Sequence, residues 1–254
     1  MKEIILTIVT VTYNCEKFLQ RTLDSVYNQD YDSYEYLIID GRSTDKTVSI
    51  IEENITKFNG RLRYISEPDR GVYDAMNKGI RAAKGKYVGI INGDDYYNNF
   101  IFKKVISMFE EKNADIIYSD LIYTDNNYVD SNKPLMANHH KLIHRMSVNH
   151  PTCFVKREIY DKYGLFDLNF RITADYEIMV RFFMKGCKFH KSSQVLAVME
   201  YGGLSSNNWI TINEKYRIHK KYYGKVHALK YKVLNILIFI YRKTKWRYKV
   251  RNGN

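Results

Sequence analysis

The feature that most constrains this chain is the alternation of two hydrophobic periods over its first hundred residues. The run "IILTIVTV" (4–11) is almost continuous in apolar and β-branched side chains, as in a strand buried on both faces. The next segment, "EKFLQRTLDSVYNQ" (16–29), spaces Phe18, Leu19, Leu23 and Val26 along one face of a helix. The pair then recurs: strand "YEYLIID" (34–40) with helix "TDKTVSIIEENI" (44–55), strand "LRYISE" (62–67) with helix "GVYDAMNKGIRAAKG" (71–85), and strand "KYVGIIN" (86–92). Strands separated by helices are joined by crossovers and lie parallel. The expected fold class is therefore α/β, a Rossmann-like, mostly parallel central sheet flanked by helices. With 254 residues and 45% hydrophobic content, the chain has enough apolar surface for such a core.

In open sheets of this kind ligands bind beyond the carboxyl ends of the strands. Four polar clusters fall there: "TYN" (12–14), "DGRSTD" (40–45), "EPDRG" (67–71) and "NGDD" (92–95). Taken singly, each has a plain explanation, since Asp40 and Asp69 are natural helix caps and "NGDD" a natural turn. Four of them at successive strand ends is what one shared crevice predicts. The pair Asp94 and Asp95 adds a constraint, because adjacent carboxylates repel unless positive charge lies beside them. A hard divalent cation supplies that charge and bridges naturally to a diphosphate, while a solvated turn is the alternative. In the same crevice Asp40 is suited to accept hydrogen bonds from a base edge, Tyr13 to stack on the base, and Arg70 to pair with phosphate oxygens. No GxGxxG follows the first strand and no GxxxxGK[ST] occurs, which argues against a dinucleotide cofactor and P-loop chemistry.

The segments "TIVTVTYN", "LIIDGRSTDKT", "PDRGVYDAMNKGI", "AKGKYVGIINGDD", "HPTCFVKREIYDKYGLFD" and "ITADYEIMVRF" together resemble the inverting nucleotide-sugar glycosyltransferases of the GT-A fold, glycosyltransferase family 2. The resemblance implies a nucleoside-diphosphate-sugar donor, with a UDP-sugar expected, a Mn²⁺ or Mg²⁺ cofactor, and a glycan or lipid-linked acceptor. It places the metal on Asp95 and Asp94 at the ribose or the metal shell. It assigns Val11, Tyr13 and Asp40 to the nucleotide, with Gly41 standing where a second acid is common, and Arg70 to the diphosphate. Asp175 of "TADYE" becomes the catalytic base, with Ala174 where Glu is common; the plainer reading is an acid favoured at a helix start that Thr173 caps. Tyr73, His150, Gly203 and Ser205 are candidates for the acceptor or phosphate side, though "HPT" and "YGGLSS" are also ordinary turns.

Other features carry less. His140 and His144 are spaced for zinc on a helix, but no HExxH or cysteine partner accompanies them, and an acceptor-side loop is the better expectation. Three scattered cysteines, Cys15, Cys153 and Cys187, fit a reducing compartment rather than a disulfide framework. The N-terminal segment reads as a strand, with no export signal visible.

The net charge of +12 is not spread evenly. Residues 215–254 hold 13 of the 40 Lys and Arg and no Asp or Glu, which leaves the body near neutral. Two divisions are therefore expected, a catalytic domain over 1–214 and a basic, partly amphipathic helical extension over 215–254. Leu229, Val233, Ile236, Leu237 and Ile240 share a helical face, and "RKTKWRYKVR" (242–251) follows with Trp246 among the basic residues. The run is too short to span a bilayer, which takes about 20 apolar residues, but it suits the interface of an anionic membrane. Packing on the body or on a partner subunit is the competing expectation, and oligomerisation stays open. The resemblance favours a cytoplasmic enzyme peripherally bound at the inner face of the cell membrane. Two other classes compete with a glycosyltransferase: a sugar-nucleotide pyrophosphorylase, whose glycine-rich Arg-containing loop is missing, and a nucleic-acid-binding module using the basic tail. No nucleic-acid partner is expected.

Overall fold

The computed structural model describes residues 3–125, 128–129, 134–201 and 209–251. The alternation takes shape as β1 (Leu6–Thr12), α1 (Leu19–Tyr27), β2 (Tyr34–Asp40), α2 (Thr47–Asn54), β3 (Leu62–Ser66), α3 (Val72–Ala82) and β4 (Tyr87–Asn92). The first helix begins three residues later than its apolar spacing predicts. Asn14 adopts a left-handed backbone (φ 48°), and the Cys15 carbonyl accepts the Phe18 and Leu19 N–H groups, so a turn precedes the helix.

The rest of the chain follows as β5 (Tyr96–Tyr97), α4 (Phe102–Lys112), β6 (Ile116–Tyr118), β7 (Leu121–Asp125), β8 (Tyr128–Val129), β9 (Phe154–Lys156), α5 (Arg157–Tyr163), α6 (Ala174–Met184), β10 (Phe189–Lys191), β11 (Ala197–Glu200), α7 (Trp209–Tyr223) and α8 (Lys225–Arg251). The central sheet has seven strands in the order β10-β6-β9-β4-β1-β2-β3. Neighbours among β3, β2, β1 and β4 run parallel, β9 is antiparallel between β4 and β6, and β10 is parallel to β6. A smaller sheet, β5-β11-β7-β8, holds β11 parallel to β7 and antiparallel to β5.

Side chains alternate across β1 and β2, and the core divides accordingly. Val9, Val11, Leu37 and Ile39 pack with α3 and α6, whereas Leu6, Ile8, Tyr36 and Ile38 pack with α1, α2 and α4. Helix α3 lies so close to β1 that a Cβ on Gly79 would stand 2.3 Å from Val9 Cγ1. The register sets Thr12 opposite Asp40, Asp40 opposite Ser66, and Val11 opposite Asn92, which brings the polar strand ends side by side.

At the C-terminus Gly224 (φ 84°) reverses the chain between α7 and α8. The two helices form an antiparallel hairpin, with His219 stacked on Tyr231 at 3.7 Å and Trp209 against Phe239 at 5.5 Å between ring centroids. Residue 214, expected to close the catalytic body, lies within α7. No helix among the described residues is long and apolar enough to cross a membrane.

Candidate active site

At the ends of β1 and β2 the expected nucleotide residues stand together with different accessibilities. Asp40 is fully buried; Oδ2 accepts from the Ser43 N–H (3.0 Å) and the Ser66 hydroxyl (2.6 Å), and Oδ1 accepts from the Ser43 hydroxyl. Its carboxylate therefore braces the β2–α2 loop, and the base-edge role expected for it does not fit these surroundings. Val11 is likewise packed in the core, with its carbonyl engaged by the Gly93 N–H at 3.0 Å. Tyr13, by contrast, is 65% exposed and offers its ring face. Gly41 leaves a notch: a Cβ there would lie 3.2 Å from Asp69 Oδ2 and 3.3 Å from Tyr13 Cδ2. Asp69 thus fills, from the next loop, space that a side chain at 41 would need.

The β4 end separates the two adjacent acids. Asp95 is 1% exposed, with Oδ1 accepting the Glu200 N–H and Oδ2 the Asn92 side-chain amide, each at 3.0 Å. Burial, and then the neighbouring Asp94 carboxylate, push its acid up to about 8. The metal role expected of Asp95 would have a cation share, at a buried position, oxygens that each hold a protein donor. Asp94 fits better. Its carboxylate accepts no hydrogen bond from another described residue, and burial together with Glu200 raises its pKa, a strain that a cation relieves. Nearby, Arg21 Nη2 donates to the Asp94 carbonyl and to Glu200 Oε2, both at 2.7 Å, which locks β4, β11 and α1 together. Thr12 Oγ1, packed against Gly93 and Cys15, and Asn92 Oδ1 are buried at these neighbouring strand ends with no oxygen or nitrogen partner among the described residues. No cluster of three or more His, Cys, Asp or Glu suited to a metal occurs among the described residues, the histidines at 139, 140 and 144 included.

Asp175 occupies the second position of α6, where the helix dipole favours an acid. Oδ1 accepts the Tyr176 N–H at 2.8 Å and lies 3.1 Å from the Tyr73 hydroxyl, which also reaches the Ile172 carbonyl at 2.8 Å. Oδ2 takes no hydrogen bond from a described residue. Burial raises the Asp175 pKa; the Tyr176 N–H, the Tyr73 hydroxyl and the Lys215 charge oppose the rise. Tyr73 is itself held by stacking on Phe166 (5.4 Å), which meets the His150 ring edge-on at the same distance. His150 is buried, and that burial lowers its pKa to about 4, so the ring stays neutral near pH 7. Arg70 is mostly exposed and pairs with Asp74 through Nε and Nη2 (3.3 and 3.2 Å). Gly203 and Ser205 lie outside the described residues. Sequence reasoning missed Glu200, whose contact with Asp95 spans 105 residues, gave Asn92 of "NGDD" no role of its own, and weighed Asp69 only as a helix cap.

This sheet edge sets the half-buried Asp94 carboxylate, which accepts no hydrogen bond from another described residue, apart from an elevated carboxylate, Asp175, at a helix start. A profile described as "Glycosyl transferase family 2" matches residues 7–165, and the chain belongs to that family. Among curated proteins, a "PGL/p-HBAD biosynthesis glycosyltransferase" of Mycobacterium bovis is 27% identical over 204 residues, covering 79% of this chain and 78% of its own. "Poly(ribitol-phosphate) beta-N-acetylglucosaminyltransferase TarS" of Staphylococcus aureus is 27% identical over 113 residues, 44% of this chain and 20% of its own. Among solved structures, S. aureus TarS 1–349 in complex with UDP-GlcNAc superposes with a TM-score of 0.68 at 17% identity, covering 91% of this chain and 71% of that one. Mannosyltransferase PcManGT from Pyrobaculum calidifontis, in complex with GDP-Man and Mn²⁺, gives a TM-score of 0.69 at 19% identity, covering 98% and 76%. The fold is GT-A. Family membership decides among the three competing classes in favour of the glycosyltransferase.

Proposed function

We propose that the chain transfers a sugar from a nucleoside-diphosphate sugar, a UDP-sugar in the first instance, to a hydroxyl of a glycan or lipid-linked acceptor in cell-surface polysaccharide synthesis, with inversion at the anomeric carbon. The observation that carries this reading is the Asp175 carboxylate, elevated by burial, fixed through Oδ1 and with no described residue donating to Oδ2. A general base needs that combination of a held orientation and a receptive oxygen. Direct displacement asks for one base on the acceptor side and a stabilised leaving group opposite. Asp175 Oδ2 takes the acceptor proton as the oxygen attacks, and Tyr73 keeps the carboxylate aimed. On the donor side, the exposed Tyr13 presents a ring to the base. Asp94 is the residue we assign to hold a Mn²⁺ or Mg²⁺ ion, with Asp95 buttressing the turn from behind. When bound, the ion supplies countercharge to the leaving diphosphate. The relatives support this reading by their names, a "PGL/p-HBAD biosynthesis glycosyltransferase" and a "Poly(ribitol-phosphate) beta-N-acetylglucosaminyltransferase".

The C-terminal hairpin supports a peripheral site of action at the inner membrane face. Leu229, Val233, Leu237 and Ile240 on α8 are each at least half exposed, on a helix with no acidic residue. Ile236, expected on the same face, is half-buried. An apolar stripe flanked by Lys and Arg suits anionic lipid. The test of the activity is a panel of nucleotide-sugars screened for metal-dependent thermal stabilisation, followed by transfer with the hit. An α-linked donor should yield a β-glycoside by the anomeric proton coupling. Retention, or no stabilisation by any nucleotide-sugar, overturns the reading.

A further inference from the structure

The segment that delivers Asp175 to the crevice is not held by its own helix. An α-helix begins with N–H groups that lack intrahelical partners, and the residue before it usually satisfies one with its side chain. Thr173 occupies that position in α6, yet makes no such cap. The three N–H groups leading into the helix converge instead on one buried carboxylate from α7. Glu214, 5% exposed, accepts the Arg171 N–H on Oε1 (2.7 Å), and on Oε2 the Ile172 N–H, the Thr173 N–H and the Thr173 hydroxyl, each at 3.0 Å. The Ile172 backbone is thereby held at both its N–H and its carbonyl, which lies 2.8 Å from the Tyr73 hydroxyl. Arg217, one turn along α7, donates to the Asn169 carbonyl at 3.1 Å and covers the Phe170 ring at 4.8 Å, extending the same clamp.

We infer that Glu214 is a positioning residue for the transfer reaction, setting the place and angle of Asp175 by holding residues 171–173 against α7. This rests on the reading of Asp175 as the base. Hydrogen bonds to an ionised acceptor are shorter and stronger than neutral ones, and four of them on one carboxylate make a rigid mount. Glutamine at 214 keeps the size, but its amide NH₂ replaces one oxygen and faces N–H donors instead of accepting from them. The mount then loosens while the donor crevice, at the ends of β1, β2 and β4, is untouched. A misplacement of about 1 Å at a reacting group is enough to cost about 10²-fold in rate.

The test is a double-mutant cycle of Glu214→Gln and Asp175→Asn on the full chain, reading kcat, the donor KM and UDP affinity by calorimetry. Glu214→Gln alone should lower kcat by about 10- to 100-fold with UDP affinity and donor KM within about twofold of wild type. On the Asp175→Asn background it should cost nothing further, because a residue that acts through the base has no base left to position. Should Glu214→Gln fail to fold, Glu214→Asp, which keeps the charge and withdraws it by one methylene, enters the same cycle with the same expected coupling. Wild-type kcat in the single variant, or additive losses in the double, overturns the inference. Unchanged turnover in Asp175→Asn itself instead overturns the base assignment, so the two failures are told apart.

Discussion

Replacing Asp175 with Asn should move catalysis and stability in opposite directions. The carboxamide oxygen can take over both contacts of Oδ1, the Tyr176 N–H at 2.8 Å and the Tyr73 hydroxyl at 3.1 Å, and the new NH₂ falls at Oδ2, which has no partner to lose among the described residues. Asp175 is raised above its ordinary value by burial, so its ionised form is the disfavoured one in the fold. The sign follows: stability linked to a raised acid is fully present below the unfolded pKa and is lost as pH rises through the folded pKa. Asparagine has no such loss. Each pKa unit of elevation is worth about 1.4 kcal/mol, and each kcal/mol moves the Tm of a chain this size by about 2–4 °C. The variant should therefore melt above wild type near pH 7, with the difference closing toward about pH 4. Turnover should fall by about 10²- to 10⁴-fold, as for a lost general base. Thermal melts across pH without donor, beside single-point transfer assays, read both effects. A variant that melts below wild type at neutral pH, or one that keeps wild-type turnover, refutes the reasoning.

Tyr73→Phe removes a donor that lowers the Asp175 pKa, so the acidic limb of the kcat/KM profile should move to higher pH while the plateau falls by less than about 10-fold; an unmoved limb counts against the Tyr73 contact. Asp94→Ala should abolish Mn²⁺-dependent nucleotide binding and leave the melting temperature near wild type. Asp95→Ala should instead cost about 1–3 kcal/mol by stranding the Glu200 and Asn92 donors; melts and calorimetry that show the reverse pattern restore Asp95 as the ligand. Leu229→Glu with Leu237→Glu should end salt-sensitive co-sedimentation with anionic liposomes and spare donor hydrolysis, because both side chains are exposed on α8. Equal sedimentation of variant and wild type removes the membrane role.

The parallel half of the sheet was legible because strands buried on both faces read as unbroken apolar runs, and β1 and β2 are buried at every position. The smaller sheet was not. Strands β5 and β8 are two residues long and leave no period to detect. Strand β9, three residues set antiparallel between β4 and β6, is equally silent. At the site, the resemblance places the metal on Asp95, and the contact that argues for Asp94 instead is invisible in the sequence: the Glu200 N–H reaches Asp95 from 105 residues away. Glu214 is hidden for the same reason, since a glutamate inside a polar helix looks like any solvated one until the 171–173 backbone is placed against it.

The antiparallel strand β9 draws a seam down the molecule. On one side, β3, β2, β1 and β4 form an uninterrupted parallel block drawn from residues 6–92, and the loops carrying Tyr13, Gly41 and Arg70 belong to it. On the other, the helix carrying Asp175 and the hairpin behind it come from the later part of the chain. Several ties cross the seam, among them the Glu200 N–H on Asp95, the Arg21 guanidinium on Glu200, the Asn77 side chain paired with the Phe166 backbone, and the Tyr73 hydroxyl on the Ile172 carbonyl and Asp175. A substitution on either side of β9 is therefore felt on the other through these contacts. On the function proposed above, a lineage that exchanges its donor must keep or rebuild these ties, so donor and acceptor choice are inherited together.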